Sequence, residues 1–184
     1  TGLFVETVAA GDAAAVLVTG EAGTTHGDVV ERLAIHPRIR VRSAPGDDEG
    51  TLREARHELL SAEPDLIADD GANLIEPLCE ERPAIARGVR GACEQTTGGI
   101  TRIRALAERE AVPFPIYDVN GAPMKRHFDN VHGTAESSIS AIASLTNALV
   151  AGSKAAVIGY GHCGGGIADK LRSLGARTTV AEID

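Results

Sequence analysis

The chain has 184 residues, of which 43% are hydrophobic, and its formal net charge at pH 7 is −8. An acidic chain without a cluster of lysines and arginines is a poor match for nucleic acid or an anionic membrane surface, so we expect neither partner. Its three cysteines lie far apart, no His/Cys spacing suits a metal, and no apolar run approaches the roughly 20 residues of a membrane span. We therefore expect a cytoplasmic protein with reduced thiols and without a catalytic metal.

Apolar, β-branched runs alternate with amphipathic stretches along the chain. The runs predict strands over residues 14–18, 38–41, 65–68, 88–93, 115–119, 154–159 and 177–183. The amphipathic stretches predict helices over residues 26–35, 51–61, 73–81, 99–110, 136–150 and 164–174. Strands that alternate with helices imply parallel sheets with right-handed crossovers, so the expected fold class is α/β. The chain starts at Thr1 and stops directly after an apolar segment, which we interpret as the sign of a fragment.

A glycine-rich loop follows the predicted strand over 154–159 and opens the next helix: Gly159-Tyr160-Gly161-His162-Cys163-Gly164. In this context the pattern G-x-G-x-x-G is typical of a dinucleotide-binding site. Gly159 would permit a tight turn, Gly161 would admit the pyrophosphate, and Gly164 would allow close packing of helix and strand. The helix N-terminus would offer N–H groups to phosphates, so His162 and Cys163 are also candidate cofactor contacts.

Glu182 stands at the end of the next predicted strand, roughly twenty residues after the central glycine of the loop. A carboxylate there accepts hydrogen bonds from both ribose hydroxyls and repels a 2′-phosphate, which favours NAD over NADP as the cofactor. The alternative is a loop that only turns a strand into a helix. We place the domain boundary near residue 151. Residues 1–150 then form a doubly wound parallel-sheet domain, and residues 151–184 form the first βαβ unit of a Rossmann domain.

Three polar clusters follow predicted strands upstream of the glycine loop. They are Asp69-Asp70-Gly71-Ala72-Asn73, Glu94-Gln95-Thr96-Thr97-Gly98-Gly99, and the set Asn120, Lys125 and Phe128-Asp129-Asn130. Taken singly, they are typical of a turn, a helix cap and a surface lysine. Because ligands bind beyond the carboxyl ends of parallel strands, we expect the clusters to face one cleft.

These stretches and their spacing resemble the S-adenosylhomocysteine hydrolase (adenosylhomocysteinase) family. The resemblance is strongest from Asp69 to Asp184, where it rests on the three polar clusters, on Gly91-Ala92-Cys93, on the glycine loop and on Glu182-Ile183-Asp184. Before residue 64 it rests on Val5-Glu6-Thr7, which is similar to the family's early substrate-binding segment. The resemblance implies that residues 1–150 bind a nucleoside, that NAD is the cofactor, and that the protein is a homo-oligomer, usually a tetramer in this family.

The family's activity implies a chemistry in which NAD is held tightly and recycled. The 3′-hydroxyl of the nucleoside is oxidised to a ketone, which acidifies the C4′ hydrogen. A base removes that proton, the 5′ thiol leaves, water adds, and the ketone is reduced back. The cofactor supplies the hydride chemistry, and the protein supplies position and electrostatics. The implied substrate is S-adenosylhomocysteine or a close adenosine thioether.

The resemblance also implies roles for individual residues. Lys125 and Asp129 would contact the 3′-hydroxyl, and Asn130 would orient that pair and meet the nicotinamide. Asp70 would be the base or proton relay near C4′ and C5′. The implied cofactor contacts in the second cluster are Thr96, Thr97 and Gly98. The implied substrate contacts are Gln95, Asn120, Glu6 and Thr134.

Several positions depart from the family pattern. Gln95 replaces the second of two glutamates, Gly98 replaces a threonine, Thr134 replaces a cysteine near C3′, and His162 replaces the aspartate of the glycine loop. The redox residues are kept, whereas those that handle the ribose and the 5′ leaving group are altered or are not found in this sequence. Two alternatives to hydrolysis therefore stay open. One is a diverged enzyme that oxidises the 3′-hydroxyl of another adenine nucleoside, and the other is a non-catalytic, NAD-binding regulatory paralogue.

Overall fold

Every strand in the computed structural model, which describes residues 2–21 and 23–183, pairs in parallel with a neighbour. The chain divides into two compact units, Thr1–Asp118 and Val119–Asp184. Asp184, the last residue of the predicted Rossmann unit, lies outside the described residues, as does Thr1. The domain boundary expected near residue 151 falls inside the second unit, and it stays a prediction.

The first unit opens with a two-stranded parallel sheet. Its elements are α1 (Gly2–Ala10), β1 (Ala15–Leu17), α2 (Gly27–Ala34) and β2 (Ile39–Val41). Ala15 pairs with Ile39 across the sheet. Val5 and Ala9 of α1 share a buried apolar cluster with Leu33 and Ile39. Burial of this apolar surface holds both helices against the sheet.

A three-stranded parallel sheet with strand order β3-β4-β5 forms the centre of the first unit. Its elements are α3 (Glu49–Leu60), β3 (Leu66–Asp69), α4 (Ile75–Glu81), α5 (Pro83–Ala86), β4 (Gly91–Glu94), α6 (Thr97–Glu108) and β5 (Ile116–Asp118). Ile67 and Ala92 belong to the largest buried cluster, together with Ile75, Leu78 and Ile103 from the helices. This core fixes β3 and β4, the strands that lead into the first two polar clusters.

The second unit begins with a nine-residue π-helix (Lys125–Gly133) that continues directly into the next helix. Its further elements are α7 (Thr134–Thr146), β6 (Lys154–Ile158), α8 (His162–Ser173) and β7 (Arg177–Ala181). β6 and β7 pair in parallel, with Lys154 opposite Arg177. A π-helix is rare and frequently marks a functional site, so its residues are of special interest.

The α/β class with parallel strands, as predicted from the sequence, is confirmed. The described strands form three separate sheets, and the doubly wound order of residues 1–150 stays a prediction. The sequence does not predict α1, α5 or the π-helix. The helix predicted over 136–150 is wrong in its last turn, because Asn147 takes a left-handed conformation with a φ of 52° and ends α7 at Thr146. No helix in residues 2–21 or 23–183 is long and apolar enough to cross a membrane.

Candidate functional site

The carboxyl ends of β3, β4 and β5 meet at one edge of the central sheet. In the strand register Asp69 lies opposite Glu94, and Glu94 lies opposite Asp118. The turn after β3 runs through Asp70 and Gly71. The first two polar clusters of the sequence are therefore neighbours in space, because parallel strands deliver their carboxyl ends to the same edge.

Glu94 is a fully buried carboxylate that holds this turn in place. It accepts hydrogen bonds from the backbone N–H groups of Gly71 (3.0 Å), Ala72 (2.8 Å) and Thr96 (2.7 Å), and from the Thr96 hydroxyl at 2.8 Å. A Cβ at Gly99 would overlap the carboxylate, which explains the glycine in the first turn of α6. A buried charge is tolerated only with such partners, so Glu94 is a structural anchor that the sequence reasoning did not identify.

Asp69 is a second buried carboxylate at the same edge. It accepts hydrogen bonds from the N–H groups of Asp70 (2.8 Å), Leu74 (2.9 Å) and Ile75 (2.8 Å). Burial raises the pKa of Asp69, while these hydrogen bonds act in the opposite direction. Because its acceptors face the start of α4, Asp69 organises the backbone and leaves its neighbour Asp70 to face outward.

The turn is strained at Ala72. Gly71 and Ala72 have φ angles of 84° and 58°. Glycine adopts this region freely, whereas a residue with a side chain pays about 1–3 kcal/mol for it. Ala72 is fully buried, and its N–H donates to Glu94. The contacts around the turn therefore impose a conformation that the local sequence does not favour, as is common at ligand sites.

Asp70 and Gln95, both predicted site residues, contact each other on the open side of this edge. Nε2 of Gln95 donates to Oδ2 of Asp70 at 2.9 Å, and both side chains are exposed. Glu6, by contrast, lies in α1 and forms an ion pair with Arg32 of α2 at 2.7 Å. The structure thus brings together the predicted base and one predicted substrate contact, and the substrate role of Glu6 stays a prediction.

The predicted cofactor contacts of the second cluster form the start of α6. Thr96 is the N-cap residue, and its hydroxyl accepts hydrogen bonds from the N–H groups of Gly99 (3.1 Å) and Gly71 (3.0 Å). Thr97 and Gly98 lie exposed in the first turn. Thr96 therefore has a clear structural task, and the cofactor roles of Thr96, Thr97 and Gly98 stay predictions.

In the second unit, the π-helix groups the predicted redox residues. Nζ of Lys125 donates to Oδ1 of the buried Asn120 at 3.2 Å. Hydrogen bonds in a π-helix join residues five apart, so Lys125 and Asn130 lie one turn apart. Asp129 and Thr134 are related in the same way, and the Thr134 N–H donates to the Asp129 carbonyl. An α-helical spacing would have separated these pairs.

The π-helix packs directly on α8, the helix that follows the glycine loop. Nδ2 of Asn130 donates to Sγ of Cys163 at 3.1 Å. Oδ1 of Asn130 is buried and has no hydrogen-bond partner among the described residues. A Cβ at Gly166 would overlap the backbone of Val131, so the two helices touch through their main chains. Asn130 is thereby fixed beside the predicted cofactor loop.

The glycine loop has the geometry that a dinucleotide site requires. Gly159 has a φ of 95°, in the left-handed region. A Cβ at Gly164 would overlap the Gly159 carbonyl, whereas a Cβ at Gly161 would meet no atom of the described residues within 4 Å. The start of α8 is therefore tight against β6, and its N-terminus is open at Gly161 to phosphate oxygens. These residues fit NAD.

Glu182 lies just after β7, as expected for a residue that contacts ribose. Its carboxylate accepts hydrogen bonds from the N–H groups of Tyr160 (2.5 Å) and Ile183 (2.7 Å). These bonds lower the pKa of Glu182, so the side chain keeps its charge near neutral pH. The Tyr160 contact ties the carboxylate to the glycine loop.

His162 is the first residue of α8, and its ring meets that of His127 edge to face, with 5.4 Å between the ring centroids. This pair borders the N-terminus of α8. Over residues 2–21 and 23–183, no group of three or more His, Cys, Asp or Glu side chains could hold a metal ion. The expectation of no catalytic metal stays a prediction.

The chain is similar to several known proteins. Residues 130–184 match the family described as S-adenosyl-L-homocysteine hydrolase, NAD binding domain. The adenosylhomocysteinase of Aquifex aeolicus is 40% identical over 184 residues, which is 100% of this chain and 44% of that protein. The S-inosyl-L-homocysteine hydrolase of Methanopyrus kandleri is 38% identical over 184 residues, 100% of this chain and 43% of that protein. That of Methanothermobacter thermautotrophicus is 44% identical over 139 residues, 76% of this chain and 33% of that protein.

The chain spans less than half the length of these relatives. The prediction of NAD as the cofactor is confirmed by the match of its C-terminal part to the NAD-binding domain. The family resemblance seen in the sequence is confirmed by relatives that align with the chain from end to end. The chain therefore matches a fragment of the S-adenosylhomocysteine hydrolase family.

Proposed function

We propose that the protein containing this chain is an NAD-dependent hydrolase of S-adenosylhomocysteine or a close adenosine thioether. The reaction runs through transient 3′-oxidation, β-elimination of the 5′ thiol and addition of water. The contact between Asn130 and Cys163 supports this best, because it fixes the segment that carries Lys125 and Asp129 against the dinucleotide helix. When bound, NAD supplies reversible hydride transfer at the 3′ carbon.

We assign the 3′-hydroxyl to Lys125 and Asp129. Asn120 holds the Lys125 amine in position to take up the hydroxyl proton. The Asp129 carboxylate accepts a hydrogen bond from the same hydroxyl. Oδ1 of Asn130, which is buried and without a partner among the described residues, suits the N–H donors of a nicotinamide carboxamide. Thr134 lies one π-helical turn from Asp129 and belongs to the substrate side.

In the first unit we assign the proton transfer at C4′ to Asp70. Its carboxylate is exposed and accepts a hydrogen bond from the neutral Gln95, which orients the carboxylate without repelling its charge. The Gln95 amide oxygen stays available for a ribose hydroxyl. The remaining proposed substrate contacts are Asn120 and Glu6, and the remaining proposed cofactor contacts of this unit are Thr96, Thr97 and Gly98.

The loop geometry supports the cofactor contacts that we propose for the second unit. Gly159, Gly161 and Gly164 shape the turn around the pyrophosphate, and His162 and Cys163 present the first N–H groups of α8. The charged Glu182 accepts hydrogen bonds from the adenosine ribose of the cofactor and disfavours a 2′-phosphate.

A second candidate substrate is the corresponding inosine thioether, because two relatives are named S-inosyl-L-homocysteine hydrolase. A diverged enzyme that only oxidises another adenine nucleoside is a further alternative, motivated by Gln95 and Thr134. A non-catalytic NAD-binding paralogue is disfavoured, since a protein that only binds NAD has no physical need for both Lys125 and Asp129. We also propose that the protein is a cytoplasmic homo-oligomer, a tetramer by family resemblance. Light scattering would measure the mass of the assembly.

The test uses the full-length protein with NAD bound. S-adenosylhomocysteine, S-inosylhomocysteine and adenosine are added separately, and released thiol and NADH absorbance are followed. Thiol release from S-adenosylhomocysteine supports the proposal. Preferential thiol release from S-inosylhomocysteine favours the inosine thioether as the substrate. NADH formation with adenosine but no thiol release supports the diverged enzyme. If neither thiol release nor NADH formation is seen while NAD is still bound, that result contradicts an enzyme of either kind.

A further inference from the structure

The turn that presents Asp70 is held by hydrogen bonds on both sides of one residue, Gly71. On its N–H side, Gly71 donates to Glu94 and Thr96, each at 3.0 Å. On its carbonyl side, the Gly71 oxygen accepts a hydrogen bond of 2.5 Å from Nη1 of Arg102. Glu94 and Arg102 therefore hold opposite ends of the same residue with opposite charges, and hydrogen bonds to charged groups are the strong ones.

Arg102 is well placed to hold the Gly71 carbonyl. It lies on α6, and its second guanidinium nitrogen forms an ion pair with the Glu76 carboxylate of α4. One planar guanidinium thus joins α6, α4 and the turn, a geometry that a lysine cannot reproduce with its single nitrogen. The side chain is 44% exposed, so its removal opens no cavity in the core.

The position of Gly71 controls Asp70 because the two residues are adjacent. The strain at Ala72 means that the turn has lower-energy local conformations available once an external contact is lost. Those conformations would rotate the Asp70 side chain away from Gln95, to which it is now bonded at 2.9 Å. An exposed arginine on the far side of the turn can therefore decide where the carboxylate points.

We propose that Arg102 is a positioning residue for Asp70. Through the Gly71 carbonyl it keeps the Asp70 carboxylate in the orientation needed to take the C4′ proton, without touching substrate itself. This inference rests on the proposed function, in which Asp70 handles the C4′ proton and Lys125 handles the 3′-hydroxyl. The two steps can be measured separately, so a loss of position at Asp70 is distinguishable from a loss of the redox step.

The chain offers a matched control for this proposal. Arg109, the C-cap residue of α6, forms an ion pair with Glu80 of α4 at 2.8 Å, two turns further along than the pair between Arg102 and Glu76. The second contact of Arg109 is with the carbonyl of Ala105, within its own helix. Arg109→Met therefore removes an equivalent ion pair and leaves the Asp70 turn untouched.

The experiment compares Arg102→Met, Arg102→Lys and Arg109→Met in the full-length, NAD-loaded protein. Three quantities are followed: the unfolding midpoint in urea, NADH formation with adenosine, and exchange of the C4′ hydrogen with deuterated water. For Arg102→Met we expect C4′ exchange to slow by about ten-fold to a hundred-fold with little change in KM, while NADH formation stays within about two-fold. Arg102→Lys, which can keep one of the two contacts, should fall between Arg102→Met and the wild type. Arg109→Met should keep both rates.

The proposal is overturned if Arg102→Met and Arg109→Met slow C4′ exchange equally, or if NADH formation falls in parallel with exchange. If Arg102→Met does not fold, the same comparison is made with Arg102→Lys, whose exchange rate must fall below that of Arg109→Met. A wild-type protein that forms no NADH with adenosine and exchanges no C4′ hydrogen would instead overturn the proposed function, and this inference with it.

Discussion

Nε2 of Gln95 donates a hydrogen bond of 2.9 Å to Oδ2 of Asp70, so a neutral amide touches the proposed base. The family pattern has a glutamate where this chain has Gln95. Glutamine at this position removes a negative charge next to Asp70 and supplies a hydrogen-bond donor in its place. One of the residues that depart from the family pattern thus contacts the proposed base.

Gln95→Glu should therefore change the pH dependence of the reaction. Two carboxylates in contact share a proton, and one of them stays protonated to a higher pH than a lone carboxylate does. We expect the acid limb of the pH–rate profile for C4′ exchange to move to higher pH. Gln95→Ala, which removes the donor without adding charge, is the control and should lower the rate without that displacement. An acid limb that stays in place in Gln95→Glu would argue against Asp70 as the base.

Glu94→Gln should destabilise the first unit. The carboxylate accepts four hydrogen bonds from a buried position, and an amide nitrogen cannot accept any of those directed at it. Leaving buried N–H groups unpaired costs about 1–3 kcal/mol, which a lower urea midpoint would report. Glu108→Gln, at an exposed carboxylate of the same unit, is the control and should leave the midpoint unchanged. Equal midpoints for the two variants would contradict the anchoring role of Glu94.

Gly166→Ala should disrupt the packing of the π-helix on α8. A Cβ there overlaps the Val131 backbone, which cannot move aside without carrying Asn130 away from Cys163. We expect weaker NAD binding by about ten-fold or more, measured by equilibrium dialysis of the full-length protein. Gly165→Ala is the matched control, because its Cβ would meet Tyr160 at ordinary contact distances of 3.8–4.0 Å. Comparable NAD affinities for the two variants would show that this main-chain contact does not support the site.

Glu182→Ser should relax the preference for NAD over NADP. The serine keeps a hydrogen-bonding group but removes the charge that repels a 2′-phosphate. We expect the ratio of NADP to NAD affinity to rise by about ten-fold, as measured by competition for the cofactor site. Asp169→Asn is the control, because it removes one negative charge at an exposed carboxylate of α8, elsewhere in this unit. An unchanged ratio in Glu182→Ser would mean that Glu182 does not meet the ribose.

Local patterns in the sequence were sufficient to predict the strands, most of the helices and the glycine loop. Periodicity places each strand within a few residues, and the spacing of Gly159, Gly161 and Gly164 carries its own steric explanation. α1 was missed because its apolar residues do not gather on one face, and two of them, Leu3 and Phe4, are exposed.

The scaffold beneath the site could not be predicted in this way. Glu94 bonds to the N–H groups of residues 22 and 23 positions earlier, and Arg102 reaches a carbonyl 31 positions away. Such contacts depend on how strands align and leave no local pattern. The π-helix is likewise set by five-residue hydrogen bonds, for which the sequence from Lys125 to Gly133 has no distinctive composition.

The proposed role of Lys125 in the oxidation of a nucleoside 3′-hydroxyl can be measured through the rate of NADH formation. Adenosine is added to the full-length, NAD-loaded wild type, to Lys125→Ala and to Lys154→Ala, and the rate of NADH formation is recorded. We expect NADH formation in the wild type and in Lys154→Ala, whose lysine is exposed on β6. In Lys125→Ala we expect the rate to fall by about a hundred-fold or more. A wild-type rate of NADH formation in Lys125→Ala would contradict the role proposed for Lys125.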